Sequence, residues 1–448
     1  MDVEQDRSSD SVKQTTENVQ IDPGEMLRDV FFGVAGVAGK AVDSTAKAAV
    51  AGAEAAGDVI GSAAKVATTG AKQIHQMFGG EYGDEFGGNL RNEDGSYVLP
   101  DPLVDKRELE EINALAQRYD RLLSPGFLEK TGKTIADVTP KQAKQLVGRV
   151  GDAAKGALDG LTKQELIGDA IKVATEGFGK LEEQAAKSSI GSEYVLQRIN
   201  VGMQGERVSQ IPEICLLRSY DVAKISNDER LQHMGIAFVE GAGTGAVGFW
   251  GIPANLALSM LIYFRAVQSV AMFYGYDVKN DPAELVIAGD VFSKAMAPGA
   301  KGNPANDYVG KILVYAESAT VKQAAKKGWQ AMVEAGGAAL AIAQMRGLAN
   351  KAAQKAVEKG GQKAVESSVF KNVLKQVGTK LSLKSVARMV PVIGAGFGAL
   401  FDTGQMSKVL EFADIFYHKR FILEKPERIQ NLTGTELLPD GEDGAMEL

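Results

Sequence analysis

The sequence is poor in the residues that most often carry chemistry. Its single cysteine among 448 residues, Cys215, excludes an intramolecular disulfide framework. The three histidines, His75, His233 and His418, stand too far apart to form a local metal-ligand pattern, so neither a metal nor another cofactor is expected. There is no G-x-S-x-G nucleophile elbow and no H-E-x-x-H metalloprotease signature. No alternation of β-branched and polar residues is long enough to support a sheet. Aromatics reach only 7%, so the 45% hydrophobic content leans on alanine, which stabilises little per residue buried. The opening Met1-Asp-Val-Glu-Gln-Asp lacks the basic-then-apolar order of a secretory signal, which reads as a cytoplasmic protein.

Charge is present but unevenly placed. The net charge is −7, yet residues 301–388 hold 15 Lys and Arg against 5 Asp and Glu. A basic stretch in an acidic chain points to an anionic surface, either lipid headgroups or the chain's own acidic ends, more than to nucleic acid.

Along the chain, residues 1–32 read as a disordered acidic leader. Residues 33–78 are rich in Ala and Gly, with Lys40, Lys47, Lys65 and Lys72 spaced among small residues. This pattern suits a weak amphipathic helix that orders on a membrane, or equally a flexible linker. Breaker residues mark 79–104 as a linker, and 105–191 as a helical region whose first helix places Leu109, Ile112, Leu115, Ala116, Tyr119 and Leu122 on one face. Residues 346–384 form a second Ala/Lys-rich tract, whose later half aligns Val365, Val369, Val373, Val377 and Leu381 in one stripe, as in a basic amphipathic helix. Its lysines either bind anionic lipid or form the solvated side of a helix packed on the core. Residues 429–448 read as an acidic disordered tail.

The longest uncharged run, Gly241–Phe264, has 24 residues, enough for a helix to cross a bilayer. Gly241, Gly243, Gly245, Gly248, Gly251 and Pro253 make one straight helix improbable and predict a break at 251–253, hence a hairpin over 241–275. The part after the break is apolar nearly all round, as in a helix buried in protein or lipid. A shorter unit around Gly394, Gly396 and Gly398 is expected to pack against it. Glu240, Asn255, Arg265 and Asp402 flank or interrupt these units and form a candidate internal polar site. Arg265 is expected to pair with Glu240 or Asp402, because buried charges need partners.

Gly243–Gly248 fits G-x-G-x-x-G and Gly394–Ala399 fits its Ala-ended variant. Trp250 and Pro253 stand where a phosphate-binding helix would run, and only about 50 residues follow the second match, so close helix packing is the preferred reading of these glycines.

The run Gly243-Thr-Gly-Ala-Val-Gly-Phe-Trp-Gly-Ile-Pro-Ala-Asn-Leu256, with Arg265-Ala-Val-Gln-Ser-Val-Ala271 and Tyr274-Gly-Tyr-Asp-Val-Lys-Asn-Asp-Pro282, resembles the central signature of the bacterial EcsC protein family. Val390-Pro-Val-Ile-Gly-Ala-Gly-Phe-Gly-Ala399 is similar to that family's C-terminal motif. The resemblance covers residues 192–428. It departs at Asn255, where many members carry an acid. The resemblance implies a helical, membrane-linked protein, named from a gene cluster with an ABC transporter. The combined expectation is an all-α helical bundle with Gly-rich hydrophobic hairpins and a disordered N-terminal region. It would be non-catalytic and associated with the cytoplasmic face of the membrane, peripherally or by hairpin insertion, beside a membrane-protein partner such as a transporter or secretion apparatus. The alternatives are an enzyme, a hydrolase or dinucleotide-binding protein, with a site at Glu240, Asn255 and Arg265, and a membrane-perturbing effector that inserts 241–275.

Overall fold

A computed structural model describes residues 90–124, 162–185, 191–203, 208–227, 229, 252–297, 308–314, 337–382 and 394–434. The acidic leader, the 33–78 segment, Glu240, the Gly241–Gly251 run and the chain beyond 434 lie outside the described residues. Among the described residues there is helix and no strand, with one isolated bridge between Arg91 and Tyr97.

α1 (Lys106–Leu123) starts where its sequence asks it to. The Asp105 side chain accepts from the Glu108 amide at 2.7 Å, and Glu108 accepts from the Asp105 amide at 3.1 Å, closing a capping box. Four of the six predicted face residues, Ile112, Leu115, Tyr119 and Leu122, are buried. α2 (Lys163–Ala185) and α3 (Ser192–Gly202) follow, then a 3-10 turn over Ile211–Leu216 and a helical stretch over 219–227.

α4 (Ile252–Phe273) begins with Pro253 in its first turn, where a missing N–H is harmless. Its 256–273 stretch is the one described helix long and apolar enough to cross a membrane, and all of that stretch is buried inside the protein. α2, α5 (Pro282–Met296), α8 (Gln362–Lys380) and α9 (Gly394–Thr433) pack around it. Phe264 stacks on Phe370 at 6.3 Å and meets Phe292 at 6.0 Å, while Phe178 meets Phe370 at 6.0 Å. These rings knit α2, α4, α5 and α8 into one apolar centre. Gly378 serves close approach directly, since a Cβ there would lie 2.6 Å from the Ile167 side chain on α2.

α6 (Tyr308–Val314) and α7 (Ala338–Gly360) complete the set, and Gly361, at φ +67°, ends α7 before α8 begins. The basic tract is therefore two helices. Val365, Val369, Val373 and Val377 are buried and Lys375 is exposed, so the α8 stripe faces the core. The backbone of 394–399 is the first turns of α9, not the strand and glycine turn of a dinucleotide site. Neither predicted Gly-rich hairpin is established, because the glycine-rich arm of the first lies before 252 and the second is seen only from Gly394 on.

Two limits differ from the sequence reading. α9 runs through Thr433 with Ile429 buried, past the predicted domain end at 428. Residues 90–104, at the end of the predicted linker, form a packed strap: Leu90, Tyr97, Leu99 and Leu103 lie on Cys215, Leu216 and Ile429.

Candidate functional site

Of the four polar residues singled out from the sequence, Arg265 is fully described. It is 3% exposed, and its guanidinium meets Glu182 of α2 at 3.0 Å, Glu366 of α8 at 2.7 Å and Gln268 at 3.2 Å. One cation thus ties three helices together. The side chains of Asn255 and Asp402 lie outside the described residues with Glu240, so the predicted pairings fall there too, and the partners seen are ones the sequence did not suggest. Arg265 Nε has no hydrogen-bond partner among the described residues. A cleft of about 170 Å³ adjoins the cluster, lined by Gln268, Lys279 and Glu366 over Val278, Leu285 and Val365. Burial, followed by the charge of Arg265, holds the Lys279 amine below its ordinary value. Ligand sites usually offer roughly 300–1,000 Å³, so this cleft suits a few waters or a small ion.

The larger polar centre lies between α1 and α9. Lys425 bonds Glu108 at 2.7 Å, His418 Nε2 sits 3.0 Å from Glu111, and Arg118 bonds Asp414 at 2.7 Å and Glu411 at 2.8 Å. As the α1 number rises the α9 number falls, so the pairs form the rungs of an antiparallel ladder. Glu108 is saturated: it also accepts from the Ser219 amide at 2.8 Å and from Arg218 at 3.3 Å. Arg218 further donates to the Pro102 carbonyl at 2.9 Å, which fastens the strap to the ladder. Burial pulls the Lys425 amine down, with Glu108 opposing. Burial also works against the Arg118 cation, but Glu411 and Asp414 outweigh it and raise its pKa. The Tyr274 hydroxyl donates to Asp414 at 2.8 Å, and the ring stacks on His418 at 5.4 Å. Burial and then Asp414 push that phenol well above its usual value, so it stays a neutral donor.

A second face of α9 carries Arg420, which has no exposed surface. It grips both oxygens of Glu284 at 2.6 and 2.7 Å, bonds Glu424 at 2.7 Å and lies 4.0 Å over the Tyr276 ring. Burial disfavours the cation, and the two carboxylates overcome that cost. Arg428 donates to the carbonyls of Tyr274 at 3.0 Å and Gly275 at 2.9 Å. Gly275 is required there: its φ is +78°, and a Cβ would overlap the Arg428 guanidinium. Between the two faces, Lys419 donates to the Leu313 carbonyl at 3.0 Å, and burial draws its pKa down to about 8 against the pull of Asp120.

Sequence reasoning did not single out this centre, although a signal exists. Glu411, His418 and Lys425 recur every seven residues through a helix stretch rich in Phe, Ile and Tyr, and Glu111 and Arg118 repeat the spacing on α1. Charged residues at two-turn intervals inside an apolar helix mark one buried polar face meeting another. The ladder groups of α1 and α9 answer one another in pairs, and none of them lines the cleft beside Arg265. Among the described residues no group of three or more His, Cys, Asp or Glu is placed to hold a metal. Cys215 is fully buried, and burial raises its thiol pKa, as expected of an unreactive core cysteine.

Residues 107–422 match the EcsC protein family, so the match begins well before residue 192 and takes in α1 and α2. Comparison with curated proteins and with solved structures gives no match.

Proposed function

The chain belongs to the EcsC protein family, and from that premise we propose that it is a non-catalytic helical protein that associates peripherally with the cytoplasmic face of a membrane, beside a membrane-protein partner. The supporting observation is the placement of α4. Its 256–273 stretch has a membrane-spanning length and composition, yet it is wholly buried among other helices. Inserting it in lipid would unpack the Phe264, Phe292 and Phe370 cluster and strip Arg265 of Glu182 and Glu366. Attachment through the protein surface avoids both costs. The internal pairing of the α1 and α9 charges suits a rigid core that presents surfaces, as a scaffold or accessory subunit does.

The test is flotation of the purified chain with vesicles, followed by carbonate and detergent washes. The expected result is capture by anionic vesicles, release by carbonate and no leakage of a trapped dye. Retention through carbonate would favour an inserted hairpin instead. A chain that stays soluble with every vesicle composition would overturn the membrane reading altogether.

A further inference from the structure

The second half of α7 presents a face that the core does not use. Ala338, Ile342, Met345, Ala349 and Ala353 turn inward and are buried, whereas Lys351, Lys355 and Lys359 are exposed. The three lysines recur every four residues, so they form one stripe that rises roughly 12 Å along the helix. Leu348, 48% exposed, stands one turn ahead of Lys351 at the head of the stripe. Arg346 is held apart from it by an ion pair with Glu427 of α9 at 3.1 Å. Glu358 is the neighbouring exposed acid, leaving the surface net positive.

We propose that this face of α7, the stripe of Lys351, Lys355 and Lys359 with Leu348, is the surface that meets anionic phospholipid headgroups. The inference rests on the membrane-association reading above and names the surface responsible. Its charge is opposite to the chain's net −7, and it lies in the 301–388 region where Lys and Arg outnumber acids three to one. All three cations are lysines, whose apolar stems lie along an interface beside Leu348 while the amines reach the headgroups. No arginine fork and no aromatic ring shares the stripe, which removes the groups that read phosphate geometry or stack on bases in nucleic-acid binding.

The experiment is co-sedimentation of the full chain with phosphatidylcholine vesicles and with vesicles containing 30% phosphatidylglycerol. Wild type is compared with Lys351→Gln/Lys355→Gln/Lys359→Gln and with a charge-matched control, Lys106→Gln/Lys172→Gln/Lys180→Gln. Circular dichroism checks that all three are folded. Each lysine near an anionic surface is worth about fivefold in binding, so the α7 variant should lose on the order of a hundredfold and the control little. If wild type and the α7 variant bind the anionic vesicles equally, the stripe is wrong while membrane association stands. Equal losses in both triple variants would show that only net charge matters, which also overturns the stripe. Absence of wild-type binding removes the membrane reading and this inference with it. If wild type ignores vesicles but binds poly-glutamate through the same lysines, the face docks acidic polypeptide and the lipid assignment is wrong.

Discussion

Replacing Glu284 by Gln tests whether the charges buried along α9 hold the fold together. Arg420 has no exposed surface, and Glu284 supplies two of its bonds, at 2.6 and 2.7 Å. In Glu284→Gln one of these becomes an N–H facing an N–H, and the cation keeps one neutral amide oxygen, Glu424 and the ring of Tyr276. Breaking a buried pair costs roughly 3–5 kcal/mol, and because Glu424 remains, the low end, about 3 kcal/mol, is expected. With a urea m-value of about 3 kcal/mol/M, the unfolding midpoint should fall by about 1 M at unchanged slope. Glu110→Gln serves as the control, because its pairing with Lys106 spans 3.7 Å between side chains 68% and 91% exposed and should contribute less than about 0.5 kcal/mol. Circular dichroism across a urea series measures both. A Glu284→Gln midpoint indistinguishable from that of the Glu110→Gln control would refute the idea that Arg420 depends on Glu284.

Lys419→Met should stabilise the protein in a pH-dependent way. The native amine titrates at about 8 and the unfolded one near its ordinary value, so between those the unfolded chain binds the extra proton and wild-type stability climbs with pH. The variant's advantage should therefore be largest below pH 8 and shrink toward pH 10, as urea midpoints at several pH values will show; a constant gap would argue against a depressed amine. Gly275→Ala should cost at least about 2 kcal/mol, because it combines a left-handed backbone with loss of room for Arg428, and a thermal melt near wild type would contradict that geometry. Arg91→Ala removes the bond to Glu213 at 2.6 Å that pins the strap, and the strap packs over the cluster holding Cys215. Maleimide labelling of Cys215 should then quicken several-fold, and an unchanged rate would mean that the strap is held by its apolar contacts alone.

Much of the fold was legible in the residues. The all-helical class followed from three-to-four-residue spacing, as in Ile112, Leu115, Tyr119 and Leu122. The valine stripe of α8 was also readable, although only the structure decided that it faces the core and that Gly361 divides the basic tract. The candidate site was much less legible. Arg265 stood out because it interrupts an apolar run, but its partners came from residues 182 and 366, far along the chain in both directions. The strap over Cys215 was hidden for a similar reason. Glycine, proline and acid are common there, and Leu90, Leu99 and Leu103 carry no helical period by which to read their burial.

What the sequence settled by itself is therefore local: helix type, apolar faces, the family signature and the need of Arg265 for a counter-charge. Those properties depend on neighbours within about one or two helical turns. Which carboxylate answers which cation was decided by tertiary structure alone. The antiparallel docking of α1 on α9 sets Glu108 against Lys425 and Glu111 against His418, and the packing of α2 and α8 around α4 brings Glu182 and Glu366 to Arg265. An ion pair needs its atoms within a few ångströms, and only the assembled helices fix distances between residues hundreds of positions apart.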